Sequence, residues 1–334
     1  MKISSIIDIV DGKLLNKVAI SSINSIKTDA SKVKTADLFI AKDFDSIKIA
    51  IENGAYAIIF EEDFQAIDSE VAFIKVSSLE LAILKIFRFK LANKKVDAFL
   101  CNTISYELLK SLFGNIFNRQ IFILPNSLEK IFKFIDIIDD DSIVISKNER
   151  VLNTIFSQFN IFEKDIDKLS IKNLTIHSLF ELSFSYKNRY FSRVKIAALY
   201  IKSLINCLEF FKDIDLDLSK LSNFKNLKAL FLDKNLKVIE FGKSDTFLIS
   251  QDDISLVEYE IKFIKEYYKY AKTIYITNKK LDFLDEKEQI IINSIDELKS
   301  VLNKNLFNCA YIVGFKDSDV FDYFSKSKNI PSLF

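Results

Sequence analysis

Apolar and polar positions along this chain fall into short blocks whose period switches between two and about 3.6. Residues 55–61 (A-Y-A-I-I-F-E) and 73–76 form compact apolar runs of the buried-strand type, and 18–23 and 37–41 predict two further strands. Residues 47–53 read as a short helix stopped by Gly54, since glycine enters the left-handed position after a helix without steric cost. A longer helix is predicted from Ser78 to Leu91, with apolar positions 79, 82, 83, 86 and 87 on its inner side. Next come a buried strand at 96–100, a sharp turn at 101–104 and a helix at 105–113. Strand 121–124, helix 128–138, strand 142–146 and helix 149–159 follow, then two or three strands within 168–185 and a long helix at 194–211 with a broad apolar face. The last third predicts strands at 236–241, 246–249, 273–277, 289–292 and 309–313, and helices at 254–270, 295–304 and 318–325. Such alternation implies an α/β protein built on parallel, doubly wound sheets.

At 334 residues the chain exceeds one ordinary core, and the expected domains are 1–93, 94–233 and 234–334. The 47 basic residues balance 46 acidic ones and no half carries a basic block, which argues against a nucleic-acid partner. Cys101, Cys207 and Cys309 are isolated, without C-x-x-C spacing, as expected in a reducing compartment. Asp8 and Asp11 interrupt the apolar start that a signal peptide needs, and no apolar run reaches membrane-spanning length, so a cytoplasmic protein is expected. There are only five glycines and two prolines. Loops that cradle nucleotide phosphates use clustered glycines for close backbone approach, whereas Gly12, Gly54, Gly114, Gly242 and Gly314 are scattered.

Chemistry is thin along the chain. The strand–turn–helix at 96–113 has the architecture of a phosphate site, because a helix N-terminus offers free N–H groups, but its turn Cys101-Asn102-Thr103-Ile104 has no glycine. Thr103 is expected to cap the helix from Ser105. Asp139, Asp140 and Asp141 fit a solvated acidic turn better than a metal site, since no second ligand cluster accompanies them. His177 is the sole histidine and no serine or cysteine motif stands beside it, so it reads as a packed or surface residue. Tyr267, Tyr268 and Tyr270 fall on more than one helical face, which fits packing rather than base stacking.

Residues 20–42 (I-S-S-I-N-S-I-K-T-D-A-S-K-V-K-T-A-D-L-F-I-A-K) and 50–62 (A-I-E-N-G-A-Y-A-I-I-F-E-E) resemble the N-terminal domain of Mur ligases, the ATP-dependent amide-bond-forming ligases of peptidoglycan synthesis. The likeness is greatest to the type that adds D-alanyl-D-alanine to UDP-MurNAc-tripeptide. In that family the domain holds the UDP-sugar, which makes Asp29, Ser31, Lys32 and Asp37 candidate substrate-binding residues. Residues 102–109 fall on the family's K-T-T-T-K-E-L-L, with Asn102 where a lysine would contact the β- and γ-phosphates and with the preceding glycine loop deleted. Asn102 and Thr103 are therefore candidate residues of a degenerate nucleotide site. Residues 194–221 resemble the family's central-domain helix and the segment after it, with Ser192-Arg193 where the family has His-Asn. The family's D-D-x-Y-N-A-N-P falls on F-L-I-S-Q-D-D-I-S (247–255), where Asp252 and Asp253 fit a helix cap, and its terminal K-G-S-R keeps Gly314 but has Val313 in place of the lysine.

The resemblance implies a three-domain Mur-ligase-like architecture with a central doubly wound sheet and a Rossmann-like C-terminal domain. It implies a protein linked to peptidoglycan precursor synthesis. With no residues identifiable for catalysis or metal binding, the expected role is binding of UDP-MurNAc-peptide or of an envelope-synthesis protein, with no cofactor. The alternative is a working ligase that uses ATP and Mg at a rearranged nucleotide site.

Overall fold

A computed structural model describes residues 1–325, apart from 64, 119, 168 and 169 and the side chains of 128 and 129. The first two positions of the strand stretch expected from 168 thus lie outside the described residues. The chain divides into two compact units, Met1–Tyr106 with Phe113–Glu163, and Glu107–Leu112 with the chain from Lys164.

The first unit contains two sheets. Strands β1 (Lys13–Leu14), β2 (Ile26–Lys27), β3 (Leu38–Ile40), β4 (Ala57–Phe60) and β5 (Ala72–Lys75) lie in the order β1-β5-β4-β3-β2, all parallel except β1. Helix α1 (Ile3–Val10), absent from the sequence reading, buries Ile3, Ile6 and Val10 on one face. It also explains why 18–23 is not a strand. Ile3 N–H donates to the Ser21 carbonyl (3.0 Å) and Ile23 N–H to the Met1 carbonyl (2.8 Å), so that stretch spends its backbone on the N-terminus and pairs in one isolated bridge, Lys2 with Ser22. Helix α2 (Phe44–Glu52) starts at Asp43, whose carboxylate accepts the Ser46 N–H at 2.8 Å, and is followed by Gly54 at φ 91°. A Cβ on Gly54 would lie 3.1 Å from the Thr35 Cα, so both conformation and space require glycine. Helix α3 (Leu79–Leu91), capped by Ser78, buries Ala82, Ile83, Ile86 and Phe87.

The second sheet runs β10-β6-β9-β8-β7: β6 (Val96–Leu100), β7 (Ile116–Phe117), β8 (Ile121–Ile123), β9 (Ser142–Ser146) and β10 (Asn160–Ile161), antiparallel only at β7. Helices α4 (Thr103–Phe113), α5 (Leu128–Phe132) and α6 (Glu149–Ile155) accompany it. The expected helices 128–138 and 149–159 are shortened. After Phe132 the chain tightens into i→i+3 turns, with Phe134 N–H on Ile131 and Ile137 N–H on Phe134. After Ile155 it turns extended at Phe156, leading to β10.

The second unit opens with an antiparallel sheet of β11 (Ile171–Ser178), β12 (Glu181–Tyr186) and β13 (Arg189–Val194). Val194 therefore ends a strand, opposite Leu182, and does not begin a helix. Regular helix starts only at α7 (Ile201–Phe210): Val194 stays in β13, the Ile196 N–H turns back to the Val194 carbonyl, and a 3-10 turn at Ala198–Tyr200 leads in. The last sheet runs β14 (Ala229–Phe231), β15 (Phe247–Gln251), β18 (Cys309–Val313), β16 (Thr273–Thr277) and β17 (Gln289–Ile291), parallel except for β14. Helices α8 (Ile254–Tyr267), α9 (Leu298–Lys304) and α10 (Asp317–Ser325) complete it. The strand expected at 236–241 is instead a single bridge, Leu232 with Val238. There the Asp233 carboxylate accepts the N–H groups of Asn235 and Lys237, and Leu236 sits at φ 57°, so the chain turns where a strand would run straight. Among the described residues no helix is long and apolar enough to cross a membrane.

Candidate functional site

Strand β6 delivers the chain to the N-terminus of α4. Cys101 is buried, with its N–H on the Ser146 carbonyl of β9 at 3.0 Å. The cap is Asn102, whose Oδ1 accepts the Ser105 N–H at 2.8 Å. Thr103 is the first helical residue, which corrects the expectation that it caps a helix from Ser105. The N–H of Asn102 donates to Glu163 Oε1 at 2.9 Å. A carboxylate of the chain itself thus sits at the helix terminus whose partial positive charge would otherwise attract a phosphate. Ser105 is fully buried and its hydroxyl has no hydrogen-bond partner among the described residues. The Tyr106 hydroxyl donates to the Leu124 carbonyl (2.9 Å), and Lys147 Nζ lies 5.1 Å from the Tyr106 ring centroid.

A wider cleft of about 560 Å³ opens in the same unit beyond the C-terminal ends of β2 and β3, where open parallel sheets characteristically bind ligands. Lys27, Lys32, Lys42, Lys130 and Lys133 line it, against Asp29, Asp43 and Asp136. Each acid already has work. Asp43 caps α2, Asp136 pairs with Lys90 at 3.3 Å, and Asp29 caps the 3-10 turn Ala30–Lys32. Asp29 accepts the Ser31 hydroxyl (2.7 Å) and pairs with Lys32 (3.2 Å), and these bonds, Ser31 first, hold its carboxyl below the ordinary range. Lys27, Lys130 and Lys133 make no ion pair among the described residues, so the wall presents uncompensated positive charge.

The four substrate candidates thus separate. Asp29 and Lys32 line the cleft, and Ser31 serves Asp29. Asp37 is buried and accepts the Ser25 N–H (3.1 Å), the Ser25 hydroxyl (2.5 Å) and the Lys34 N–H (3.0 Å), which fixes the loop between β2 and β3. Sequence reasoning missed Lys27, Lys42, Lys130 and Lys133, which no local pattern joins.

The remaining candidates are structural. Asp139 and Asp141 pair with Lys94 (3.5 Å) and Lys95 (3.7 Å), and Asp140 accepts the Lys95 N–H at 2.7 Å. Asp253 caps α8 through the Ser255 N–H (3.1 Å). His177 finds a structural partner that no sequence motif shows: the β11–β12 hairpin places Ser183 Oγ 2.7 Å from its Nε2. Ser183 is 1% exposed and also accepts the Arg193 N–H at 2.9 Å, so its hydroxyl is closed to a substrate. Among the described residues no three His, Cys, Asp or Glu side chains are grouped to hold a metal.

No protein-family profile matches the sequence, and no curated protein matches it. Solved structures do match in fold. MurF from Acinetobacter baumannii is 10% identical, with a TM-score of 0.58 over 97% of this chain and 98% of that one. MurF ligase from Thermotoga maritima, solved in complex with ADP, is 14% identical, with a TM-score of 0.51 over 91% of this chain and 97% of that one. The protein therefore has the Mur-ligase fold over nearly its whole length, as the sequence resemblance implies.

Proposed function

We propose that this protein uses the Mur-ligase fold to bind a UDP-MurNAc-peptide-type precursor of peptidoglycan, in the cytoplasm where such precursors are made, without ATP-dependent ligation. The lysine cleft supplies the affinity. Cations at the mouth of a parallel sheet complement a diphosphate, and the apolar floor of Phe39 and Ile40 suits the uncharged parts of the ligand. Asp29 and Lys32 act there as a preformed ion pair that orients donors and acceptors toward the sugar.

The observation that carries the absence of ligation is the hydrogen bond from Asn102 N–H to Glu163. Phosphoryl transfer depends on positioned phosphates and on cationic charge at the developing negative oxygens. Here the helix terminus faces a carboxylate, and the turn before it lacks glycine. A phosphate placed there would displace Glu163 or be repelled by it.

The competing reading, a ligase that takes ATP and Mg at a rearranged site, draws on Asn102, Thr103 and the Ser105 hydroxyl, which has no partner among the described residues. A thermal-shift panel separates the two. UDP-MurNAc-tripeptide is expected to raise the melting temperature and ATP–Mg to leave it unchanged, with no phosphate release when both are present. ATP-dependent phosphate release that Thr103→Ala abolishes would establish the ligase instead.

A further inference from the structure

The second unit holds a pocket of about 320 Å³, at the lower end of the size range of small-molecule sites, and no function named above uses it. Its walls are aromatic and aliphatic, from Phe180, Phe224, Phe241, Leu221 and Ile196. Phe180 heads a packed panel, with ring centroids 6.2 Å from Phe231, 6.3 Å from Phe241 and 5.1 Å from Phe247, all edge-on. The Phe241 ring is nevertheless 50% exposed, although a phenylalanine of a closed core would be covered.

Two features show that this wall is held in place. Lys195 Nζ lies 4.4 Å from the Phe241 ring centroid and 2.9 Å from Glu181 Oε1, so an ion pair fixes the cation that holds the ring. Leu227, which lines the pocket, is buried at φ 50°, a left-handed conformation that a branched side chain adopts only when its surroundings hold it there. The pocket also carries one uncommitted charge. Lys228 is exposed at its edge and makes no ion pair among the described residues, whereas Lys195 is held in an ion pair with Glu181, a carboxylate it shares with Arg193.

We infer that this pocket is a binding site for a small aromatic acid, whose ring packs among Phe180, Phe224 and Phe241 and whose anionic group meets Lys228. Ring edges presented toward an offset or edge-on partner favour an aromatic body over a flexible aliphatic one. A single free cation at the rim favours a single acidic group. The site lies within the second unit and is independent of the lysine cleft.

The test is fluorescence titration of the full chain with 8-anilinonaphthalene-1-sulfonate, an aromatic sulfonate of the stated chemistry. A saturable one-to-one rise is expected. Ala229→Phe, which fills the pocket from β14, should weaken binding at least tenfold, and Lys228→Glu severalfold. Lys225→Glu, the same charge change three residues away and outside the pocket, should leave the affinity unchanged. Absence of saturable binding, or equal losses in Lys228→Glu and Lys225→Glu, would overturn the site. The two charge variants decide the matter even if Ala229→Phe does not fold.

Discussion

The N–H of Asn102 and the carboxylate of Glu163, separated by 61 residues in sequence, meet at 2.9 Å across the N-terminus of α4. The anion that satisfies this helix terminus is thus built into the chain. Removing it with Glu163→Ala should cost about 1 kcal/mol, the usual worth of a partly exposed carboxylate at a helix start. It should also open the terminus to external anions. In urea unfolding, inorganic phosphate is expected to stabilise Glu163→Ala more than the wild type. Equal phosphate responses in the two proteins would show that Glu163 does not occupy an anion position.

The lysine cleft makes a prediction about affinity. Exposed charge pairs are each worth up to about 1 kcal/mol, so reversing one lysine should weaken binding of UDP-MurNAc-tripeptide by about fivefold. Lys27→Glu in β2 and Lys130→Glu in α5 test this from two separate elements that line the cleft. Isothermal titration at low and high salt should show the wild type losing affinity with salt more steeply than the double variant. If the double variant binds as tightly as wild type, the precursor does not sit in this cleft.

Glu260 is fully buried in α8 and receives hydrogen bonds from the Tyr200 hydroxyl, the Tyr311 hydroxyl and the Gln251 side-chain amide (2.8 Å). Glu260→Leu would strand those donors and should cost about 3–5 kcal/mol in urea unfolding. Glu260→Gln should cost less, since the Tyr311 hydroxyl can turn to accept the new amide. Burial raises the carboxyl of Glu260 above its ordinary 4.5, and the phenol and amide donors oppose that only in part. The native state therefore holds this proton more tightly than the unfolded chain. The associated stability is complete below 4.5 and is lost as pH rises through the raised native value. Stability–pH curves for wild type and Glu260→Gln that run parallel across that range would contradict the shift.

Local pattern made much of the scaffold legible. Helix α3 declares its Ser78 start and its inner face, α2 its stop at Gly54, and β15, β16 and β18 are compact apolar runs. The pattern failed where tertiary contacts took over the backbone. Residues 18–23 pair with the N-terminus, and Val194, which reads as the start of a helix, ends β13, with regular helix delayed to Ile201. The motif at 29–37 was legible, but it mixes roles, since Asp29 reaches the cleft while Asp37 is buried holding a loop. The cleft lysines, the Asn102–Glu163 contact and the Ser183 partner of His177 were not legible. Each joins residues that share no period, and only the fold sets their distance.

Glu181 offers the opposite pH dependence to Glu260. It is buried, and burial alone would raise its carboxyl, but the hydrogen bond and charge of Lys195, together with the charge of Arg193, outweigh this and lower it. Arg193 Nη1 is 3.0 Å and Lys195 Nζ 2.9 Å from its oxygens. The unfolded chain then binds the proton more tightly, so this contribution is present above the ordinary value of 4.5 and disappears as pH falls through the lowered native value. Both cations are partly exposed, which limits the effect, and Glu181→Gln should cost about 1 kcal/mol at neutral pH. The gap between wild type and Glu181→Gln, read from urea midpoints, should begin to close only once pH falls below 4.5, vanish below the lowered native value, and narrow in high salt. A gap that keeps its size from neutral to acid pH would mean that Glu181 acts through packing and not through its charge.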